Sequence, residues 1–315
     1  RRNEREVEIH CHGGRAAIER IRGDLAAAGC QSIDWIDWLA ECESSRTRPE
    51  AVMLLAKAAT ERTAAILLDQ YQGALERALA KIDENLGAKR TAKAAAALDE
   101  LLSLSSLGLH LAEPRRVVLA GPPNVGKSSL INALVGYSRS IVFDLPGTTR
   151  DVVTVTTALD GWPIELADTA GLRASDEPLE QAGIALARRQ IAAADCIVLV
   201  FDASGPSADD QALLKSEFPR AIVVANKIDL VSDGSVKAIP PQFDRSPIRT
   251  SALTGQGIDA LADAIVQQLV GEAPRPGDAV PFTTEQLSQL AAAREALSRG
   301  DVAAARRAIA KLTAD

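Results

Sequence analysis

The sequence predicts an α/β domain with a mostly parallel sheet, inserted in an all-α helical domain and preceded by the C-terminal piece of a second, small α/β domain. Three observations carry that expectation. From Arg115 the chain alternates short β-branched runs with helical stretches; Ala/Leu patterns of helical period stand on both sides, before Pro114 and after Pro281; and residues 7–29 read as one strand, a Gly13-Gly14 turn and one amphipathic helix. The boundaries fall at residues 1–30, 31–114, 115–272 and 273–315.

The first segment offers Val7–Cys11 as an apolar strand and Ile18, Ile21 and Leu25 at helical spacing. A strand and a helix cannot close a core, so partner strands are expected upstream or on another chain. His10 and His12 would share one face of that strand with Cys11 on the other; no second ligand pair stands nearby, so zinc is not expected. From Ile33 to Leu111 the pattern is helical, with Trp35 and Trp38 as packing residues and Pro49-Glu50 opening a helix. Leu75, Leu79, Ile82 and Leu86 recur on one face, and Gly87 closes that stretch. Ala-rich runs such as Ala94–Ala97 imply closely packed helices. Strands are expected at Val117–Ala120, Val152–Ala158, Ile164–Ala167, Cys196–Phe201, Ile222–Ala225 and Ile248–Ser251, with a hairpin at Asp160-Gly161 adding one antiparallel strand. A Pro/Gly-rich link, Ala273–Pro281, precedes a return to helix over 283–313.

Composition narrows the function classes. The 315 residues, 47% hydrophobic and 24% charged, can bury a core without disulfide or metal staples. No uninterrupted apolar run reaches the ~18 residues of a membrane span. Residues 1–8 are charged and no apolar stretch follows, so a signal peptide is not expected; a start at Arg1 reads as a fragment or processed product. Cys11, Cys30, Cys42 and Cys196 form no C-x-x-C pair, which fits a reducing, cytoplasmic setting. A net charge of -7 with 3% aromatics supplies neither the basic footprint of a DNA binder nor stacking platforms, so any RNA contact must be local.

The chemistry sits in the α/β segment. Gly121-Pro122-Pro123-Asn124-Val125-Gly126-Lys127-Ser128 fits G-x-x-x-x-G-K-[ST] between an apolar strand and a helix that continues from Ser129. Backbone N–H groups of such a loop wrap a β-phosphate at a helix N-terminus, Lys127 neutralises β/γ charge and the Ser128 hydroxyl ligates Mg²⁺. Asp168-Thr169-Ala170-Gly171 follows the hairpin, placing a carboxylate for an outer contact to Mg²⁺ and a Gly N–H to sense the γ-phosphate; a helix cap is the plainer reading of Asp168. Asn226-Lys227-Ile228-Asp229 ends an apolar run, and a carboxylate there can accept from guanine N1 and N2. Adenine offers no such donor pair, which makes ATP the losing alternative. Ser251-Ala252-Leu253 would supply a backbone N–H to the guanine carbonyl.

These four elements resemble the translation-factor class of P-loop GTPases, and within it the TrmE or MnmE family of tRNA-modification GTPases. Gly147-Thr148-Thr149-Arg150-Asp151 is similar to the switch I motif of that family, Leu172–Glu177 to its switch II, and Val7–Gly14 to the end of its folate-binding N-terminal domain. The resemblance implies K⁺-stimulated, dimerisation-dependent hydrolysis of GTP to GDP and phosphate, in the service of wobble-uridine modification of tRNA. It also implies a formyl-tetrahydrofolate donor and a FAD-containing partner of the MnmG/GidA family.

Leu172 stands where Ras-like enzymes carry the water-orienting Gln, so another group must position water. By resemblance, that group is Glu180. Asn124 and the loop Phe143-Asp144-Leu145-Pro146-Gly147-Thr148 would hold K⁺, through Phe143, Leu145 and Thr148, while Thr149 joins Ser128 on Mg²⁺; homodimerisation would run through residues 141–183. On residue type alone, Asn124 also reads as a turn residue and Glu180 as a solvated charge. Two departures from the family stand out. The chain ends Lys311-Leu312-Thr313-Ala314-Asp315 where the family carries Cys, an apolar residue, Gly and Lys, and Ile33–Trp38 replaces a Pro-Gly-Glu-Phe stretch. A GTP-dependent interaction or assembly factor without the modification chemistry is therefore the second reading.

Overall fold

A computed structural model describes residues 7–42, 45–137, 154–168, 191–204, 220–231 and 246–313. Strands β1 (Arg115–Ala120), β2 (Thr154–Leu159), β3 (Trp162–Asp168), β4 (Cys196–Asp202), β5 (Ile222–Asn226) and β6 (Ile248–Arg249) form one sheet in the order β2-β3-β1-β4-β5-β6. All neighbours run parallel except β2 against β3. That exception has a local cause: Asp160 at φ 46 and Gly161 at φ 74 are both left-handed, the geometry of a two-residue hairpin turn. The central strands read as continuous apolar runs because both faces are covered. Helices Lys127–Tyr137 and Ile258–Val270 bury Leu130, Leu134, Leu261 and Ile265 against Val117, Leu119 and Val198 on one face, while Phe201, Val223, Ala225 and Ile228 form a smaller cluster.

Helices Thr47–Leu55, Glu61–Tyr71, Ala74–Gly87 and Thr91–Ser103 precede the sheet, and Thr284–Ser298 and Val302–Thr313 follow it. Leu79, Ile82, Leu98 and Leu101 from the first group share a single hydrophobic cluster with Leu290, Ala293, Ala305 and Ile309 from the second. Ala94, Ala293 and Ala305 are fully buried there, so the small side chains set close helix approach. Thr283 opens the first of the late helices with a reciprocal cap, its hydroxyl accepting from Gln286 N and its own N–H donating to the Gln286 side chain. Ion pairs Arg294–Asp99 and Arg306–Asp83, both at 2.7 Å, cross between the two groups.

Among the described residues, the sheet unit and the helices meet at several places. Trp162 of β3 is buried in the helical cluster, with the Arg62 guanidinium 5.5 Å from its ring centroid and 3.3 Å from Asp160. Arg115 donates to the Ser106 carbonyl at 2.6 Å. A Cβ on Gly108 would stand 1.8 Å from the Pro281 carbonyl, so the segments entering and leaving the sheet touch. Beside this joint His110 Nε2 lies 3.8 Å from Asp195, whose carboxylate also accepts from Arg116 N at 2.7 Å. His110 Nδ1 is buried without a hydrogen-bond partner among the described residues. Burial, then the nearby Arg115 charge, holds the His110 pKa below its ordinary value; Cys196, buried on β4, is pushed up to about 12.

Four expectations are corrected. Residues 7–11 form no strand, because a strand exists only as part of a ladder and none of the described residues pairs with them. The helix that follows, Arg15–Ala27, has no buried residue. Trp35 and Trp38 are 48% and 46% exposed and pack only in part. The helix expected to open at Pro49 begins at Thr47, since a first-turn proline surrenders only an N–H that has no intrahelical acceptor. At the far edge β6 is only Ile248–Arg249, and Ser251 N turns to the Gln256 carbonyl instead of a ladder.

Candidate nucleotide-binding site

The loop between β1 and the helix Lys127–Tyr137 lies at the C-terminal end of the parallel strands, where open α/β sheets bind ligands. Its backbone is specialised. Asn124 at φ 64 and Gly126 at φ 94 are both left-handed, and a Cβ on Gly126 would stand 2.4 Å from Asn226 Nδ2. Gly121 passes so close to β4 that a Cβ would stand 2.1 Å from the Val200 carbonyl. Only glycine serves at these two places. The turns lead into the N-terminus of the helix Lys127–Tyr137, whose first N–H groups have no intrahelical acceptor and suit an anion.

Lys127 is 4% exposed, and its ammonium donates to the Gly121 and Pro122 carbonyls at 2.9 and 2.7 Å, which holds the charge across the mouth of the loop. Ser128 Oγ donates to Asp168 Oδ2 at 2.5 Å. Asp168 is 7% exposed at the end of β3, in parallel register with Leu119 of β1, so two adjacent strand ends deliver the hydroxyl and the carboxylate to one place. A hydroxyl beside a carboxylate offers oxygen donors of the kind a hard divalent cation takes.

The second half of the site is assembled by β5 and the segment after β6. Asn226 is 1% exposed; its Nδ2 donates to the Val125 carbonyl at 2.9 Å, and its Oδ1 accepts from Thr250 Oγ1 at 3.1 Å and Ala252 N at 3.2 Å. Thus one amide ties the loop before the helix Lys127–Tyr137 to the segments that follow β5 and β6. Lys227, left-handed at φ 66, pairs with Asp202 at 2.9 Å. Asp229 Oδ1 accepts from Ser251 Oγ at 2.5 Å, and Ile228 stands buried between Lys227 and Asp229. Of the three residues expected to face a guanine carbonyl, Ser251 is fully buried, Ala252 N is turned to Asn226, and Leu253 is 86% exposed.

The structure therefore brings together Asn124, Val125, Gly126, Lys127, Ser128, Ser129, Asp168, Asn226, Lys227, Ile228, Asp229, Ser251 and Ala252, with Leu253 at the rim. The residues expected at Phe143, Asp144, Leu145, Pro146, Gly147, Thr148, Thr149, Thr169, Ala170, Gly171 and Glu180 lie outside the described residues. Sequence reasoning missed Thr250 and Asp202. Asp202 had a signal: it is a carboxylate closing the apolar run of β4, the position Asp168 holds on β3.

The sequence matches a known family model and known proteins. The family model described as 50S ribosome-binding GTPase matches residues 116–227. The chain is 34% identical to the tRNA modification GTPase MnmE of Prochlorococcus marinus (strain MIT 9303), with 96% of this chain and 72% of that protein covered. It is also 34% identical to the protein of the same name from Symbiobacterium thermophilum, over 84% of this chain and 65% of that one. Among solved structures, the G domain of the T. maritima FeoB iron transporter is 29% identical over 50% of this chain and 99% of its own, with a TM-score of 0.36.

Proposed function

The chain belongs to the MnmE family of tRNA modification GTPases, and from that premise we propose that it is a GTP-hydrolysing switch acting in tRNA modification. One observation carries the reading. A buried Lys127 and the Ser128–Asp168 pair sit at the phosphate end of a site whose base end, Asn226 to Asp229, is tied to the same loop through the Val125 carbonyl.

The chain's own residues divide the work. Lys127 and the N-terminal turn of its helix stabilise charge that gathers on the β/γ-bridging oxygen as the γ-phosphoryl group passes to water, the bond to the β-phosphate breaking as the bond to the water oxygen forms. Asp229 accepts from guanine N1 and N2 while Ser251 holds its carboxylate in place. Ser128 with Asp168 behind it suits Mg²⁺, which when bound neutralises the phosphate oxygens.

The finer assignments belong to the same proposal. Asn124, in a left-handed turn at the edge of the cradle, contributes to a K⁺ site with Phe143, Leu145 and Thr148; Thr149 joins Ser128 on Mg²⁺; Glu180 orients the water; and K⁺ with GTP drives homodimerisation. The α/β unit, residues 115–272, is an insertion in a helical domain made of residues 31–114 and 273–315; the shared core of Leu98 and Leu290 supports that division. The partners are tRNA and a FAD-containing MnmG/GidA-like protein, and the setting is the cytoplasm. No helix of the described residues is long and apolar enough to cross a membrane. Formyl-tetrahydrofolate is a poorer fit. Residues 7–14 are exposed, and none of the described residues pairs with them as a strand, so no step is derived through it.

The test is GTP turnover by the purified chain in KCl and in NaCl at equal ionic strength, with ATP as control. Faster GTP turnover in KCl, abolished by Lys127→Ala and slowed by Asn124→Ala, is the expected outcome. Equal turnover of ATP and GTP would overturn the guanine reading, and cation-blind turnover would overturn the K⁺ site. A normal wobble uridine in tRNA from cells lacking the protein would favour the second reading, a GTP-dependent assembly factor.

A further inference from the structure

Lys227 stands between two residues with defined tasks, Asn226 on the phosphate loop and Asp229 on the base, yet nothing in the tetrapeptide itself fixes its side chain. Its backbone is left-handed at φ 66, a conformation that costs a non-glycine residue about 1 kcal/mol and persists where the surroundings over-determine it. The surroundings here include Asp202. Parallel pairing of β4 with β5 sets Asp202 opposite Asn226, beside the loop that starts at Lys227. Asp202 Oδ2 takes the Lys227 ammonium at 2.9 Å, while Oδ1 accepts from Ser204 N at 2.9 Å and from Ser204 Oγ at 2.7 Å. The carboxylate is thus held on both oxygens before it holds anything else. Burial pushes its pKa up, but the Ser204 hydrogen bonds and Lys227 outweigh that and leave it below the ordinary value.

We propose that Asp202 is a positioning residue for the base site: by anchoring the Lys227 ammonium it lays the lysine's aliphatic stem as one wall of the guanine pocket. A stem with its charge satisfied at the tip presents methylene groups to a flat base while the ammonium stays bound to its partner. The role lies in ground-state binding, so it acts on KM and leaves the chemical step alone. This inference rests on the guanine reading of Asn226–Asp229 and adds a carboxylate from another strand to it. The competing account is an ordinary half-exposed ion pair with little effect on anything.

A double-mutant cycle separates the two accounts. Fluorescent GDP and ADP are titrated into the full chain as wild type, Asp202→Ala, Asp202→Asn, Lys227→Ala and the Asp202→Ala/Lys227→Ala double variant, with circular dichroism to confirm folding and steady-state GTP turnover alongside. Asp202→Ala is expected to weaken GDP binding about tenfold and to raise KM for GTP by the same factor at unchanged kcat, with no added effect on the Lys227→Ala background. Asp202→Asn falls between, since its amide oxygen keeps the Ser204 bonds but loses the charge that draws Lys227. Wild-type GDP affinity in a folded Asp202→Ala protein, or equal weakening with and without Lys227, overturns the proposal. Should wild type bind ADP as tightly as GDP, the guanine reading itself has failed, a result the variants cannot mimic.

Discussion

Asn226 donates through Nδ2 to the Val125 carbonyl at 2.9 Å, so the residue that opens the tetrapeptide proposed to bind the base also steadies the loop proposed to hold the phosphates. Truncation there leaves a buried carbonyl, and the Thr250 hydroxyl as well, without its partner. Asn226→Ala is expected to cost about 1–3 kcal/mol of local free energy. Because both halves of the site lean on this amide, GDP affinity measured by fluorescence titration should fall at least tenfold. A loss under twofold would show the two halves to be independent.

Gly126→Ala tests the same contact from the other side. The added methyl would stand 2.4 Å from Asn226 Nδ2 on a backbone at φ 94. Left-handed strain of about 1–2 kcal/mol is joined by displacement of the amide. Thermal unfolding of the nucleotide-free protein should drop by several degrees and nucleotide binding should be lost. Retained binding with lowered stability would place the clash outside the site.

The joint between sheet and helices predicts a pH response. His110 is held below its ordinary value by burial and by Arg115, so the folded protein prefers the neutral ring. Below the unfolded pKa of about 6.5 the unfolded chain binds the extra proton more readily, so stability falls as pH drops through that region and is fully present above it. The carboxylates with lowered values, Asp83 and Asp202, act only further down, near and below the ordinary Asp range. His110→Gln should therefore flatten the melting temperature between about pH 5 and pH 6.5 and leave it unchanged near pH 8. An unaltered slope in the variant would assign the acid limb elsewhere.

Arg62 clasps the hairpin tip through the Trp162 ring and Asp160. Both contacts are partly exposed, so Arg62→Ala should lower stability by about 0.5–1 kcal/mol, read as a shift of a few degrees in calorimetry. GDP affinity should not change, because the clasp lies at the end of β3 opposite Asp168. A large change in affinity would reveal coupling along the strand.

Much of this was legible in the residues, for identifiable reasons. β1, β3, β4 and β5 are buried on both faces, so their apolar runs are continuous and flanked by turn chemistry, and Asp160-Gly161 carries the two left-handed residues its turn needs. Lys127, Ser128, Asp168, Asn226 and Asp229 fall at strand ends and helix starts, where their local pattern and their position in the fold agree. The failures share a cause in non-local structure. Val7–Cys11 has the composition of a strand, but a ladder depends on a neighbour that composition does not specify. Trp35 and Trp38 have the bulk of core residues, and whether a helix face is covered depends on what packs over it. Asp202 carried a signal as the carboxylate closing the apolar run of β4, but its pairing with Lys227, in the next strand's loop, depends on the β4–β5 register.

The contact of Gly108 with Pro281 bears on how the molecule assembles. Leu98 and Leu290 can meet in an unfolded chain only by closing a very long loop, whose entropic cost grows slowly with length but whose contacts are slow to find. A folded sheet shortens that search by bringing the segments around Gly108 and Pro281 together, so the late helices arrive already next to the early ones. Topology then predicts an order of events, the sheet first and the helical core second. Pulse-labelling hydrogen exchange during refolding should protect β1, β3 and β4 before the amides of Thr284–Ser298.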